Sequence, residues 1–134
     1  MAENNFPIMS DTELYLLIKD RSKSGFEYMY SRYSCILYGL AVKAVKSKEY
    51  AEEIVEQTFT KIWKSIDLFI NQNASMNVWI IQNLILVIQE YLTSKSITYK
   101  LKTNHFPAFS FELAEEDIDY YKSPDTITLN LNVI

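Results

Sequence analysis

Cysteine is almost missing from this chain of 134 residues: Cys35 is its one thiol, so no internal disulfide can form. Mid-helix among apolar neighbours, that thiol is expected to be buried and inert. Two Gly and three Pro leave few sites for tight turns. Their scarcity disfavours hairpin-rich β folds and favours long uninterrupted helices. Histidine occurs once, as His105, outside any periodic stretch and without a Cys or an acid at helical spacing. It reads as a loop or surface residue rather than a catalytic one. No Gly-rich phosphate loop and no Cys/His group at metal spacing is present, so neither cofactor nor metal is expected and the chain reads as non-enzymatic. The N-terminus lacks a basic stretch followed by an apolar one, which predicts no secretory signal and a reduced, cytoplasmic setting.

Charge is missing too, but only in places. From Leu68 to Gln89 no residue carries one, which raises the question of a membrane span. Asn71, Gln72, Asn73, Asn77, Gln82, Asn83 and Gln89 punctuate that stretch too densely for a hydrocarbon core. A central core helix is the better reading, with no membrane partner. Overall, 13 basic residues against 17 acidic give a net charge of −4, which argues against indiscriminate nucleic-acid binding. The deficit is uneven: residues 99–134 hold three Lys and six acids, net −3, leaving −1 for the first 98.

What is there is helical periodicity. The length suits one domain, large enough to bury a core without metal or disulfide support. Ser10-Asp11-Thr12-Glu13 has the form of a capping box, followed by Leu14, Leu17 and Ile18 on one face of a short helix closed by Lys19 and Asp20. A turn is expected over Arg21–Gly25. From Phe26 to Ala44 the apolar positions step by three and four, the mark of a five-turn helix. Gly39 within it suggests a close helix crossing. Ser47 caps a third helix with the stripe Ala51, Ile54, Val55, Phe59, Ile62, Trp63 and Ile66. Phe69–Ser75 reads as an amide-rich loop, Ser75 as a cap, and Met76–Leu92 as a fourth helix that is apolar on nearly every side. Beyond Lys95 the pattern decays. Ser96–Lys102 fits either a short strand or the frayed end of the helix, Glu112–Asp119 carries five acids, and Thr126–Ile134 alternates like a strand. The expected architecture is an all-α, compact bundle of four helices over residues 10–95, with an irregular acidic linker or tail over 96–134.

One string is distinctive. Glu49-Tyr50-Ala51-Glu52-Glu53-Ile54-Val55-Glu56-Gln57-Thr58-Phe59-Thr60-Lys61-Ile62-Trp63 resembles the region 2 signature of bacterial RNA polymerase sigma factors of the extracytoplasmic-function type. That signature reads roughly A-E-D-hydrophobic-hydrophobic-Q-E-x-F-x-K-hydrophobic-W. Glu53 stands at its Asp position, and the Gln-Glu pair is reversed as Glu56-Gln57. Upstream, Asp11-x-Glu13-Leu14 and Gly25-Phe26-Glu27-x-Met29-Tyr30-x-x-Tyr33 look like the family's first two helices. Downstream, Trp79-Ile80 opening a helix that ends Glu90-Tyr91-Leu92 is similar to its next segment. The resemblance covers residues 10–95.

It implies a third helix that docks on the coiled coil of the polymerase β′ clamp through Glu52, Glu53, Glu56 and Gln57, an edge suited to charge-assisted bonds with Arg. Read without the resemblance, these acids are a solvated helix face. As a carboxylate metal site they lack an opposing Glu-x-x-His helix. The resemblance also implies contact with the −10 promoter element. Phe69 and Trp79 would stack, Asn71, Asn73, Asn77 and Gln82 would read base edges, and Lys61 and Lys64 would hold the backbone. An anti-sigma protein is a further implied partner. The chain departs from the family at Gln82, Ile85, Leu86 and Thr93, where the pattern has Arg, Arg, Asn and Arg, and each lost cation weakens phosphate contact. The second helical domain of a complete factor has no counterpart in the 36 residues after position 98, which fits either a fragment or a short divergent relative. The alternative reading is a sigma-like interaction module without DNA binding, forming a homodimer through Ile81, Ile85, Ile88 and Leu92 of its fourth helix or sequestering another partner.

Overall fold

The computed structural model describes residues 9–71 and 75–114. Four α-helices, α1 (Asp11–Lys19), α2 (Lys23–Val45), α3 (Lys48–Lys64) and α4 (Met76–Ser94), form an all-α bundle, with a 3-10 helix at Ile66–Asn71 between α3 and α4. Four serines start the four helices. Ser10, Ser22, Ser47 and Ser75 each accept a backbone N–H of the first turn through the hydroxyl, and Ser10 with Glu13 completes the reciprocal capping box.

The helix ends show how a chain short of glycine stops a helix. Arg21 and Ser96 adopt the left-handed conformation just past α1 and α4. The amides of Ser22 and Ile97 then bond back to Leu17 and Leu92, the paired bonds of a Schellman ending. Lys46 takes the same conformation after α2. The predicted turn at Arg21–Gly25 is therefore shorter than expected, and Gly25 lies inside α2.

The close helix crossing expected at Gly39 lies at Gly25 instead. Gly39 has nothing near the place of a Cβ, whereas a Cβ on Gly25 would sit 2.6 Å from Cβ of Leu17. Gly25 is where α1 and α2 approach closely.

The core draws on every helix, with Ile18, Met29, Leu37, Ile54, Ile62, Ile80, Leu84, Ile88 and Leu92 fully buried. α2 packs on α1, α3 and α4, and α3 on α4. Asp11 ties the first helix to the last: its carboxylate accepts the Met76 amide at 2.8 Å, capping α4 from 65 residues away.

The stretch expected to be irregular holds a β-hairpin. Strands β1 (Thr98–Lys102) and β2 (Ser110–Ala114) pair antiparallel, with Leu101 opposite Phe111. β1 packs on α4 and β2 on α2, burying Phe109, Phe111 and Leu113. Of the two readings of Ser96–Lys102, the short strand holds. Two five-residue strands leave too faint an alternation to stand out in the sequence, and burial of the Phe pair supplies what propensity does not. The strand-like segment Thr126–Ile134 lies outside the described residues. Among the described residues no helix is long and apolar enough to cross a membrane.

Candidate functional site

α2 and α3 run antiparallel, which sets Phe26 against Trp63 and Tyr30 against Phe59, with ring centroids 5.2 and 5.1 Å apart. Phe26 also meets Phe59 edge-on at 6.2 Å. Along the outer side of this seam lies an open groove of about 1210 Å³. The Phe26–Tyr30–Ser34–Tyr38 stripe of α2 forms one wall, and Glu52, Glu56, Phe59, Thr60 and Trp63 of α3 form the other. Tyr30 is 51% exposed. The groove is also polar in charge. Arg21, with its guanidinium 5.2 Å from the Trp63 ring, and Lys23 stand at one end, and the acids of α3 stand at the other.

Of the four residues assigned to a polymerase contact, Glu52, Glu53 and Glu56 share this edge, and Gln57 opens onto a second, smaller groove between α3 and α4. Glu52 and Glu56 are exposed, four residues apart on one helix, and among the described residues neither is paired with a cation. Like charges at that spacing cost the isolated helix a few tenths of a kcal/mol, so folding is not what they serve. Glu53 is different. Its carboxylate accepts the hydroxyl of Tyr91, whose ring packs on Tyr50 at 5.2 Å, while Lys95 sits 5.3 Å from both rings. Burial, with the Glu53 bond second, pushes the Tyr91 hydroxyl up to about 12. Glu53 thus fastens α3 to α4, and Glu52 and Glu56 remain as the acids open to a partner.

The residues assigned to DNA are not brought together. Phe69 belongs to the 3-10 helix rather than to a loop, and it is buried between Tyr15 and Trp79, with centroids 5.9 and 5.5 Å away. Trp79 is 5% exposed. Neither ring offers a free face to a base; each completes the core where the 3-10 helix packs on α1 and α3 and Phe69 meets Trp79 of α4. Asn77 is exposed, and its side-chain carbonyl accepts the Tyr33 hydroxyl. Gln82 is half-buried on α4. Lys61 and Lys64 line the smaller groove with Gln57 and Glu90. Asn73 and the side chain of Asn71 lie outside the described residues.

Cys35 corrects its expectation: it is exposed and opens onto the large groove. The Phe26–Ala44 periodicity merges two stripes. Met29, Tyr33, Leu37 and Ala41 face the core, and Phe26, Tyr30 and Tyr38 face the groove. The fourth-helix patch is likewise covered. Ile85, Ile88 and Leu92 are buried and Ile81 is half-buried, so Leu86 is the one large apolar side chain left exposed on α4. His105 sits exposed in the turn between the strands, and no group of three His, Cys, Asp or Glu among the described residues is placed to hold a metal. The groove itself had a faint signal in the sequence, an i, i+4 row of aromatics flanking a row of acids.

Compared with protein-family models, with curated proteins and with solved structures, the chain finds no match.

Proposed function

We propose that this chain is a sigma-region-2-like, non-enzymatic domain that acts in transcription initiation by docking on a protein partner, the coiled coil of the RNA polymerase β′ clamp, in a cytoplasmic setting. One observation supports this reading above the others. Glu52 and Glu56 stand exposed on the rim of an aromatic-walled groove and, among the described residues, have no cation beside them. A helix that carries Arg and an apolar stripe meets both features at once, with charge-assisted bonds at the rim and aromatic contact along the floor.

Contact with the −10 promoter element has less behind it, since Phe69 and Trp79 are buried and no cation lies between Leu68 and Gln89. That pair of facts favours the second reading, a module that keeps protein docking and has lost its hold on the promoter strand.

Recovery of core polymerase on immobilised protein tests the first reading. Glu52→Lys with Glu56→Lys is expected to weaken capture by about tenfold or more, the scale of truncating charge-paired contacts in an interface. Undiminished capture overturns the docking assignment. Fluorescence anisotropy with a single-stranded −10-like oligonucleotide at two salt concentrations separates the readings. Salt-dependent binding restores the promoter contact, and its absence leaves the docking module.

A further inference from the structure

The groove has a symmetry that a one-sided docking site does not require. Its charges lie on opposite sides of Tyr30 along the groove: Arg21 over Trp63, with Lys23 at the start of α2, and, in the register set by Phe26–Trp63 and Tyr30–Phe59, Glu56 and Glu52 on the α3 turns that lead from Phe59 toward Ser34 and Tyr38. Residues 52 and 63 are separated by roughly 16 Å of helix at the usual rise per residue. Near the middle stands Tyr30, half exposed and packed on Phe59. A two-fold rotation about an axis through Tyr30, perpendicular to the groove, lays the acidic end of one copy over the basic end of another, and does so twice. Self-complementarity of this kind is what an isologous interface needs. Lys23 does not spend its charge at home: its ammonium is 3.5 Å from Glu27, but both side chains stay largely in water.

We propose that the α2/α3 groove packs against the same groove of a second copy of this chain, in an antiparallel pair centred on Tyr30 and registered by Arg21 and Lys23 against Glu52 and Glu56 of the partner. The pair differs from a dimer through α4, whose apolar residues are covered inside the chain. It hides the edge assigned above to polymerase, so the two assemblies exclude each other. The geometry of the pair does not depend on the sigma-like reading, and its test needs no polymerase.

Sedimentation velocity and the thiol reaction of Cys35 give the test together. Cys35 is the one cysteine and opens onto this groove, so its rate with an aromatic disulfide reagent reports on this face alone. For the wild type, the mass is expected to double over roughly a hundredfold rise in concentration, with the Cys35 rate falling severalfold in step. Glu52→Lys/Glu56→Lys should remain a monomer with a constant thiol rate, and so should Arg21→Gln/Lys23→Glu. The Lys23 change places an acid at the start of α2, which suits the helix dipole and spares the fold. Mixing the two variants is expected to restore the doubled mass, because each then faces opposite charge at both ends. A monomeric wild type at every concentration overturns the proposal. So does a dimer whose Cys35 rate ignores concentration, or a mixture of the two variants that stays monomeric.

Discussion

Three residues other than glycine, Arg21, Lys46 and Ser96, hold φ near +60° at the ends of helices. An L-residue in that conformation costs roughly 1–2 kcal/mol relative to its preferred one, and glycine does not bear that cost. Ser96 is exposed. Ser96→Gly should therefore raise unfolding stability by about 0.5–1 kcal/mol after the greater freedom of the unfolded glycine is deducted. The native glycines should respond in opposite directions. Gly39→Ala adds a methyl in open space within a helix and should gain about 0.5–1 kcal/mol, while Gly25→Ala forces a Cβ against Leu17 and should destabilise. Urea midpoints measured at a constant m-value check all three. Tyr91 sets an alkaline limit. Its folded pKa of about 12 exceeds the ordinary 10.0, so the folded state holds the phenolic proton more tightly than the unfolded chain does. Its contribution is complete below about pH 10 and is lost as the pH climbs towards 12. Stability measured over that window should fall less steeply for Tyr91→Phe than for the wild type.

At the scale of elements, each helix carries its own start signal. Serine hydroxyls and the Ser10–Glu13 box satisfy the first amides locally, which is why the helix starts at Ser10, Ser47 and Ser75 were legible from residues alone. α4 has a second cap that local pattern does not reveal. Asp11 reaches it from α1, joining a helix start to a helix start through one carboxylate favoured by both dipoles. Asp11→Ala should cost about 1–2 kcal/mol. Exchange of the α4 first-turn amides should quicken in the variant more than exchange elsewhere, whereas uniform quickening would assign the loss to α1. The last turn of the 3-10 helix falls within the stretch expected as a loop, Phe69–Ser75, for a related reason. Asn71 opens an amide-rich run, while the apolar residues of this helix are held by what Ile66 and Phe69 bury rather than by any propensity of their own.

On the scale of the whole molecule, the hairpin is part of the body. Phe111 is fully buried and stacks edgewise on Phe109 at 6.0 Å, and β1 and β2 lie on α4 and α2. Phe111→Ala should cost about 3–5 kcal/mol, a large share of the ~5–15 kcal/mol that keeps a domain folded. A chemical denaturation midpoint shared by helix and hairpin probes, lowered together in the variant, is the expected result; a hairpin that loosens alone would mark it as an accessory. The same closure explains the missing stacking platform. With the 3-10 helix packed on α1 and α3, Phe69 and Trp79 face each other and the core, and the open aromatic surface lies instead between α2 and α3.

Sequence alone determined what local chemistry controls. The four helices, the three serine caps, the capping box and the acidic row Glu52–Glu56 are all decided within a turn or two of chain, by hydrogen bonds and a 3.6-residue period. It also decided that no internal disulfide forms and that no cation lies between Leu68 and Gln89. Tertiary structure decided which apolar stripe of a two-striped helix is covered. Met29 and Leu37 went inward, and Phe26, Tyr30 and Cys35 were left on the groove. It also buried Trp79 with Phe69 where the resemblance would have them stack on bases, moved the close helix crossing from Gly39 to Gly25, and bound Glu53 to Tyr91 while leaving Glu52 and Glu56 open. Periodicity records that a face is apolar, but burial depends on whether another element arrives to cover it, and that is settled by the packing of residues far apart in the chain.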